Sequence, residues 1–349
     1  MTCSDYASSI PLATIQLHFF DVKGKMAGME PAMKILFICG KGGVGRTAMT
    51  AALARYFGNR GGSLAVTLND PDNLGHHLNT LIPFNTPSPA HDGIHVMALE
   101  KQRILDDYIA RHFAVGFMRR WILNHPLYPH ITAILPGIRE VLLIDKIVEC
   151  TTSCHSNQWQ TILVDMPATG HSISLLNISE TAAATIEYGP LRRRLIRIRS
   201  RLTDPTFCRA VVVTSAEETP VRECRELILA LQNRVSIAID CLVVNRIDPT
   251  PLSEESITIL NRMSLESIEI LASDMCPDTT CNTTHITADS MLTAIRTQLA
   301  RSTLAKHMIH SLSDWWQEPL VLIPRMDGET PAIITQNIAD ALETGGFHG

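Results

Sequence analysis

The chain has 349 residues, 45% hydrophobic and 19% charged, with a formal net charge of −5. That length and balance suit one large or two modest globular domains and exclude a disordered polyelectrolyte. A mildly acidic chain gives no global reason to expect a nucleic-acid partner, and aromatics at 5% predict a core built mainly of Leu, Ile, Val and Ala.

Residues 1–33, with Gly24, Gly28 and Pro31, read as a loosely ordered N-terminal extension. They lack the basic start, unbroken apolar core and small-residue cleavage site of a signal peptide. No apolar run reaches the ~18 residues of a membrane span. The nine cysteines are scattered, an odd count without a framework, which fits reduced thiols. A cytoplasmic protein with no transmembrane segment of its own is expected.

From residue 34 short apolar runs alternate with helical stretches. Strands are predicted at Lys34–Cys39, Leu64–Leu68, Ile94–Leu99, Thr161–Asp165, Arg209–Thr214, Ile239–Asn245 and Leu320–Ile323. They are short, β-branched and apolar on both faces, as strands of a covered parallel sheet are. The fold class is therefore α/β, a doubly wound, mostly parallel sheet, in one domain over 34–349. Helical insertions are expected at about 101–150 and 250–315.

The first strand runs into Gly40-Lys41-Gly42-Gly43-Val44-Gly45-Arg46-Thr47, and an alanine-rich helix opens at Ala48. Strand, glycine loop and helix together form the setting of a phosphate-binding loop. The glycines let successive N–H groups turn toward one phosphate, and the helix adds about half a positive charge at its start. Thr47 places a hydroxyl where a nucleotide-bound Mg²⁺ would sit. Arg46 stands where such loops usually end in lysine, keeping the charge but replacing a compact ammonium with a planar fork. Lys41, at the start of the loop, cannot easily fold back on phosphates held by its own loop, but it can reach those of a facing subunit.

Later strand ends carry the remaining signals. Asp70, after the second strand, is either a water-orienting carboxylate at the γ-phosphate edge or the opening of an Asp-Pro turn. Asp165 ends an apolar strand, either the place from which a carboxylate holds Mg²⁺ through water or simply a buried strand with a capping Asp. Gly170 frees the loop that follows. Asn245 offers either a donor–acceptor edge for a base or a turn.

Two cysteine groups, Cys150/Cys154 with His155 and Cys276/Cys281 with His285, could hold a soft ligand or could be core thiols. Between 192 and 201 lie six arginines. Leu191, Leu195, Ile198 and Leu202 fall on the opposite stripe of a helix there. The arginines would suit an acidic partner or a membrane surface, or simply solvent. The apolar stretch Phe113–Ile122 is a second possible contact surface or ordinary core.

With these residues in view, the chain resembles the ArsA-type (arsenite-pump) anion-transporting ATPase family, which includes the ATPases that target tail-anchored membrane proteins. The shared marks are GKGGVGRT at 40–47, NDPDNL at 69–74, LPGIREVL at 135–142, DMPATGHSISLL at 165–176, VVNR at 243–246 and LIPRMDGE at 322–329. The resemblance implies a P-loop NTPase fold of the SIMIBI-like kind and a homodimeric ATPase using ATP and Mg²⁺. Cargo would be an anion, a metalloid or a client protein, with a membrane-associated or acidic partner possible. It implies that Lys41 contacts nucleotide across the dimer, that Arg46 fills the phosphate-loop lysine position, and that Thr47 ligates Mg²⁺. Asp70 becomes the water-activating carboxylate, and Asp165 to His171 the second switch. Asn245 would meet the adenine edge, with the loop after Pro324 closing over the base. Two marks differ from the family pattern: Arg46 replaces lysine, and the family's Asp-Pro-Ala-His run is Asp70-Pro71-Asp72-Asn73. The alternative reading is a low-turnover nucleotide-binding scaffold in which Arg46 has weakened hydrolysis.

Overall fold

The computed structural model describes residues 34–68, 70–112, 137–152, 158–183, 190–248, 255, 258, 288–318, 320–326 and 328–344. The expected extension over 1–33 and most of the segment between 249 and 287 lie outside them. The chain runs β1 (Lys34–Gly40), α1 (Arg46–Gly58), β2 (Ser63–Thr67), α2 (Pro71–Leu78), β3 (Ser88–Pro89) and β4 (Ile94–Ala98). Then come α3 (Lys101–His112), α4 (Ile138–Glu149), β5 (Thr161–Asp165), α5 (Thr169–Leu176), α6 (Ile178–Ala183) and α7 (Pro190–Leu202). The last part is β6 (Cys208–Ser215), α8 (Glu218–Ala230), a π-helical turn (Leu231–Val235), β7 (Ala238–Ile247), α9 (Ala288–Trp315), β8 (Leu320–Pro324) and α10 (Pro331–Thr344).

The eight strands make one sheet in the order β3-β4-β2-β5-β1-β6-β7-β8. Every neighbouring pair is parallel except β3–β4. The seven strands expected from sequence all form, with ends shifted by two residues or fewer. The short antiparallel β3 was not expected, because two residues carry no periodicity.

Side chains alternate across β1 and divide the core in two. Ile35, Phe37 and Cys39 face the larger layer, built from α3 to α9. Leu36 and Ile38 face the smaller one, where α1, α2 and α10 pack. Buried Ala48, Ala51, Ala52 and Ala54 let α1 lie close to the strands. Because α1 covers one face and α5 to α8 the other, the chain leaves β1 and its neighbour β5 in opposite directions. That is a topological switch point, and in such sheets the crevice opens at the carboxyl ends of the strands. Register sets the depth of this crevice. Ile38 stands level with Asp165 and Gly40 with Val213, so the glycine loop emerges beside the ends of both neighbours. No helix among the described residues is long and apolar enough to cross a membrane.

Candidate active site

The glycine loop has the shape its residues demand. Gly43 and Gly45 lie at φ 87° and 94°, where a side chain would be strained. A Cβ on Gly40 would run into the carbonyl oxygen of Val213. Gly45 caps α1 with no side-chain hydrogen bond, and no acidic residue occupies the first turn. The leading N–H groups therefore have no side-chain acceptor, the state in which a helix start takes an anion.

Beside this start sits a buried carboxylate. Asp165 is 4% exposed. Its Oδ2 accepts a hydrogen bond from Thr47 Oγ1 at 2.8 Å, while Oδ1 is buried with no hydrogen-bond partner. Burial pushes its carboxyl up to about 6, the Thr47 bond and the Arg46 charge pull it back, and the Asp70 charge raises it again. A buried carboxylate oxygen left unmatched is costly unless something else completes it. The hydroxyl–carboxylate pair with one open oxygen suits a Mg²⁺ and its waters. Arg46 Nη1 donates to the carbonyl oxygen of Met166, tying the loop to the segment that follows β5.

Asp70 is exposed at the carboxyl end of β2 and caps α2, its Oδ1 accepting from the Asn73 amide at 3.1 Å. Asp70 thus forms the Asp-Pro turn, and its charge is felt at Asp165. Lys41 pairs with Glu223 Oε1 of its own chain at 2.9 Å, each side chain about one-third exposed, at 34% and 32%. Sequence reasoning missed Glu223, which lies 182 residues away on α8 with no local signal.

Asn245 is buried under the loop and donates from Nδ2 to the carbonyl oxygen of Val44 at 2.9 Å. Its neighbour Arg246, at φ 58°, donates from Nη1 to the carbonyl oxygen of Gly43 at 2.8 Å. This contact of Arg246 was also missed, though its place beside Asn245 in VVNR could have drawn attention to it. Pro324 pairs in register with Ile247 and is exposed at the same edge.

Other expected groups resolve differently. Cys39, Cys150, Cys208, Cys224 and Cys241 are buried. Burial pushes the Cys39 and Cys150 thiols up to about 12 and 11, so these cysteines serve as small core residues and not as ready thiolates. Cys154, His155, Cys276, Cys281 and His285 lie outside the described residues, as does Phe113–Ile122. Among the described residues no three His, Cys, Asp or Glu side chains gather as a metal site. On α7, Leu195, Ile198 and Leu202 are buried as the stripe predicted. Two of the arginines, Arg194 and Arg197, hold Asp145, while Arg199 makes an exposed pair with Glu180 at 3.5 Å and Arg201 lies 4.3 Å above the Phe207 ring. Glu140, in the Pro-Gly segment, pairs with Lys101 at 2.9 Å and links α3 to α4.

Comparison with known proteins gives a consistent picture. The family model described as "Anion-transporting ATPase" matches residues 33–193. ATPase BagA of Mycobacterium tuberculosis is 24% identical over 234 residues, 64% of this chain and 68% of that one. ATPase GET3B of Arabidopsis thaliana is 21% identical over 295 residues, 69% of this chain and 71% of its own. ATPase ASNA1 homolog 2 of Paramecium tetraurelia is 29% identical over 150 residues, covering 42% and 45%.

Proposed function

We propose, from the premise that the chain belongs to the ArsA-type anion-transporting ATPase family, that it binds Mg·ATP in the glycine loop and hydrolyses it as a homodimer. The observation that carries this reading is the uncapped start of α1 beside the Thr47–Asp165 pair with its unmatched oxygen. The residues present fit a Mg²⁺ there, which would neutralise charge on the terminal phosphates. Thr47 would ligate it directly and Asp165 through water. The amides from Gly40 to Ala48 would orient the phosphates, with Arg46 adding its charge. Asp70 would orient or deprotonate the attacking water. Lys41, released from Glu223, would reach the phosphates of the second copy, a contribution of about 10³ to 10⁵ in rate where such a cation is supplied in trans. Asn245 and Pro324 mark the edge where the adenine would lie.

Closure of the two copies would drive a cargo or partner step, anion or metalloid efflux or protein targeting. The described cysteines are buried core residues, so a thiol site for a metalloid would have to draw on others.

A second reading, a nucleotide-binding scaffold with little turnover, is favoured by one observation. Arg46 spends a guanidinium N–H on the Met166 carbonyl and does not point freely into the loop. Phosphate release decides between the two. The enzyme reading expects wild-type turnover, a drop of about 10² or more in Asp70→Asn, and loss of nucleotide-dependent dimerisation in Lys41→Met. Equal, near-background release by wild type and Asp70→Asn would leave the scaffold reading alone.

A further inference from the structure

A cavity of about 340 Å³ opens at the carboxyl ends of β6, β7 and β8, beyond the glycine loop. Ser215 and Ala216 line it from the end of β6, Arg246 and Asp248 from β7, and Arg325 from just past β8. Leu304 and Ala305 of α9 form an apolar wall. Arg246 joins this cavity to the loop directly, since its guanidinium donates to the Gly43 carbonyl. A ligand whose phosphates lie on the loop would therefore have this opening beside it. The volume accommodates a purine and part of its sugar, with Leu304 and Ala216 offering apolar contact to a flat ring.

The polar edge of such a ring needs partners, and the structure offers a specific set. Asn245 is 2% exposed and its amide nitrogen is already spent on Val44. Asp248 is better placed. Its side chain is 14% exposed and its Oδ1 accepts from Arg325 Nε at 2.5 Å. Its other oxygen takes no hydrogen bond among the described residues. Arg325 is 51% exposed, so most of its five donors remain available. A carboxylate only accepts and a guanidinium only donates, so the pair presents an acceptor beside a donor.

We propose that Asp248 and Arg325 read the base, and that they select a 6-amino purine. The exocyclic amine of adenine would donate to the free oxygen of Asp248, and its ring nitrogen N1 would accept from Arg325. A 6-oxo purine presents the reverse order, a carbonyl oxygen facing the carboxylate and an N–H facing the guanidinium. This rests on the nucleotide reading above and adds to it the residues that set base specificity.

The test uses the full-length protein and direct binding of Mg·ATP and Mg·ITP by calorimetry, with tripolyphosphate as a base-free probe. Wild type is expected to prefer ATP by about 10-fold or more, the cost of leaving a polar pair unmatched. Asp248→Asn, whose amide can donate to a 6-oxo group, should bring the two affinities together or invert them. Tripolyphosphate binding should be unchanged. Arg325→Gln, at a half-exposed position that folding tolerates, should weaken ATP while sparing tripolyphosphate. Equal affinity of wild type for ATP and ITP, or an unchanged ratio in Asp248→Asn, overturns the proposal and leaves nucleotide binding intact. Failure of all three probes to bind overturns the parent reading with it.

Discussion

Two buried aspartates divide the molecule into a part that is finished and a part that is waiting. Asp145 on α4 is 1% exposed and both oxygens are held by guanidinium groups from α7, Arg197 at 2.5 Å and Arg194. The cavity beside it is about 50 Å³, far smaller than the 340 Å³ opening at the ends of β6, β7 and β8. Asp165 at the end of β5 is almost as deeply buried, yet one of its oxygens has no partner. Burial of charge alone therefore does not mark a functional site. What separates the two is whether the fold itself completes the carboxylate. Asp145 is a rivet between two helices, and Asp165, bonded to Thr47 of the glycine loop through one oxygen, leaves the other without a hydrogen-bond partner.

Substitutions at the two positions should have opposite effects. Asp145→Ala removes the partner of two guanidinium groups and should cost about 3 to 5 kcal/mol in denaturant unfolding. The surviving folded protein should still bind nucleotide. Asp165→Asn should lower Mg-dependent phosphate release by about 10² to 10³ while raising the melting temperature of the nucleotide-free protein, because a poorly solvated charge has gone. A loss of stability in Asp165→Asn would erase the distinction.

The smallest effect is a pH slope. The Asp165 carboxyl sits at about 6 in the folded chain against an ordinary 3.8. Between those values the folded state keeps a proton that the unfolded state has released. The stability this supplies is present below 3.8 and is lost as the pH rises through about 6. Its size is on the order of 3 kcal/mol. Thermal melts of metal-free protein across that window should show the decline in wild type and a flatter line in Asp165→Asn.

The sheet and its glycine loop were legible in sequence because both rest on local pattern. Lys34–Gly40 is an apolar run that must be covered on two faces, and three residues of the loop have their glycine demanded by φ or by space. Thr161–Asp165 announced its carboxylate at the right strand end. What sequence could not show were pairings across long separations. Nothing near Asp145 forecasts two arginines 49 and 52 residues later, and the arginines of α7 read as a solvent or partner face when two of them, Arg194 and Arg197, are spent on Asp145. Glu223 and the Asp248–Arg325 pair were hidden for the same reason: one depends on which helix packs beside the glycine loop and the other on which strand ends become neighbours, and both are decided by the order of the sheet.

The contacts from β7 to the glycine loop have one more consequence. Two consecutive residues of that strand, Asn245 and Arg246, hold two consecutive carbonyls of the loop, Val44 and Gly43. A glycine-rich segment left to itself would sample many shapes, and a ligand would have to freeze it at the moment of arrival. Here the freezing is done in advance by a strand two places away, so the entropy of ordering is charged to folding and not to binding. On the proposed function, a triphosphate would meet a mould that is already set.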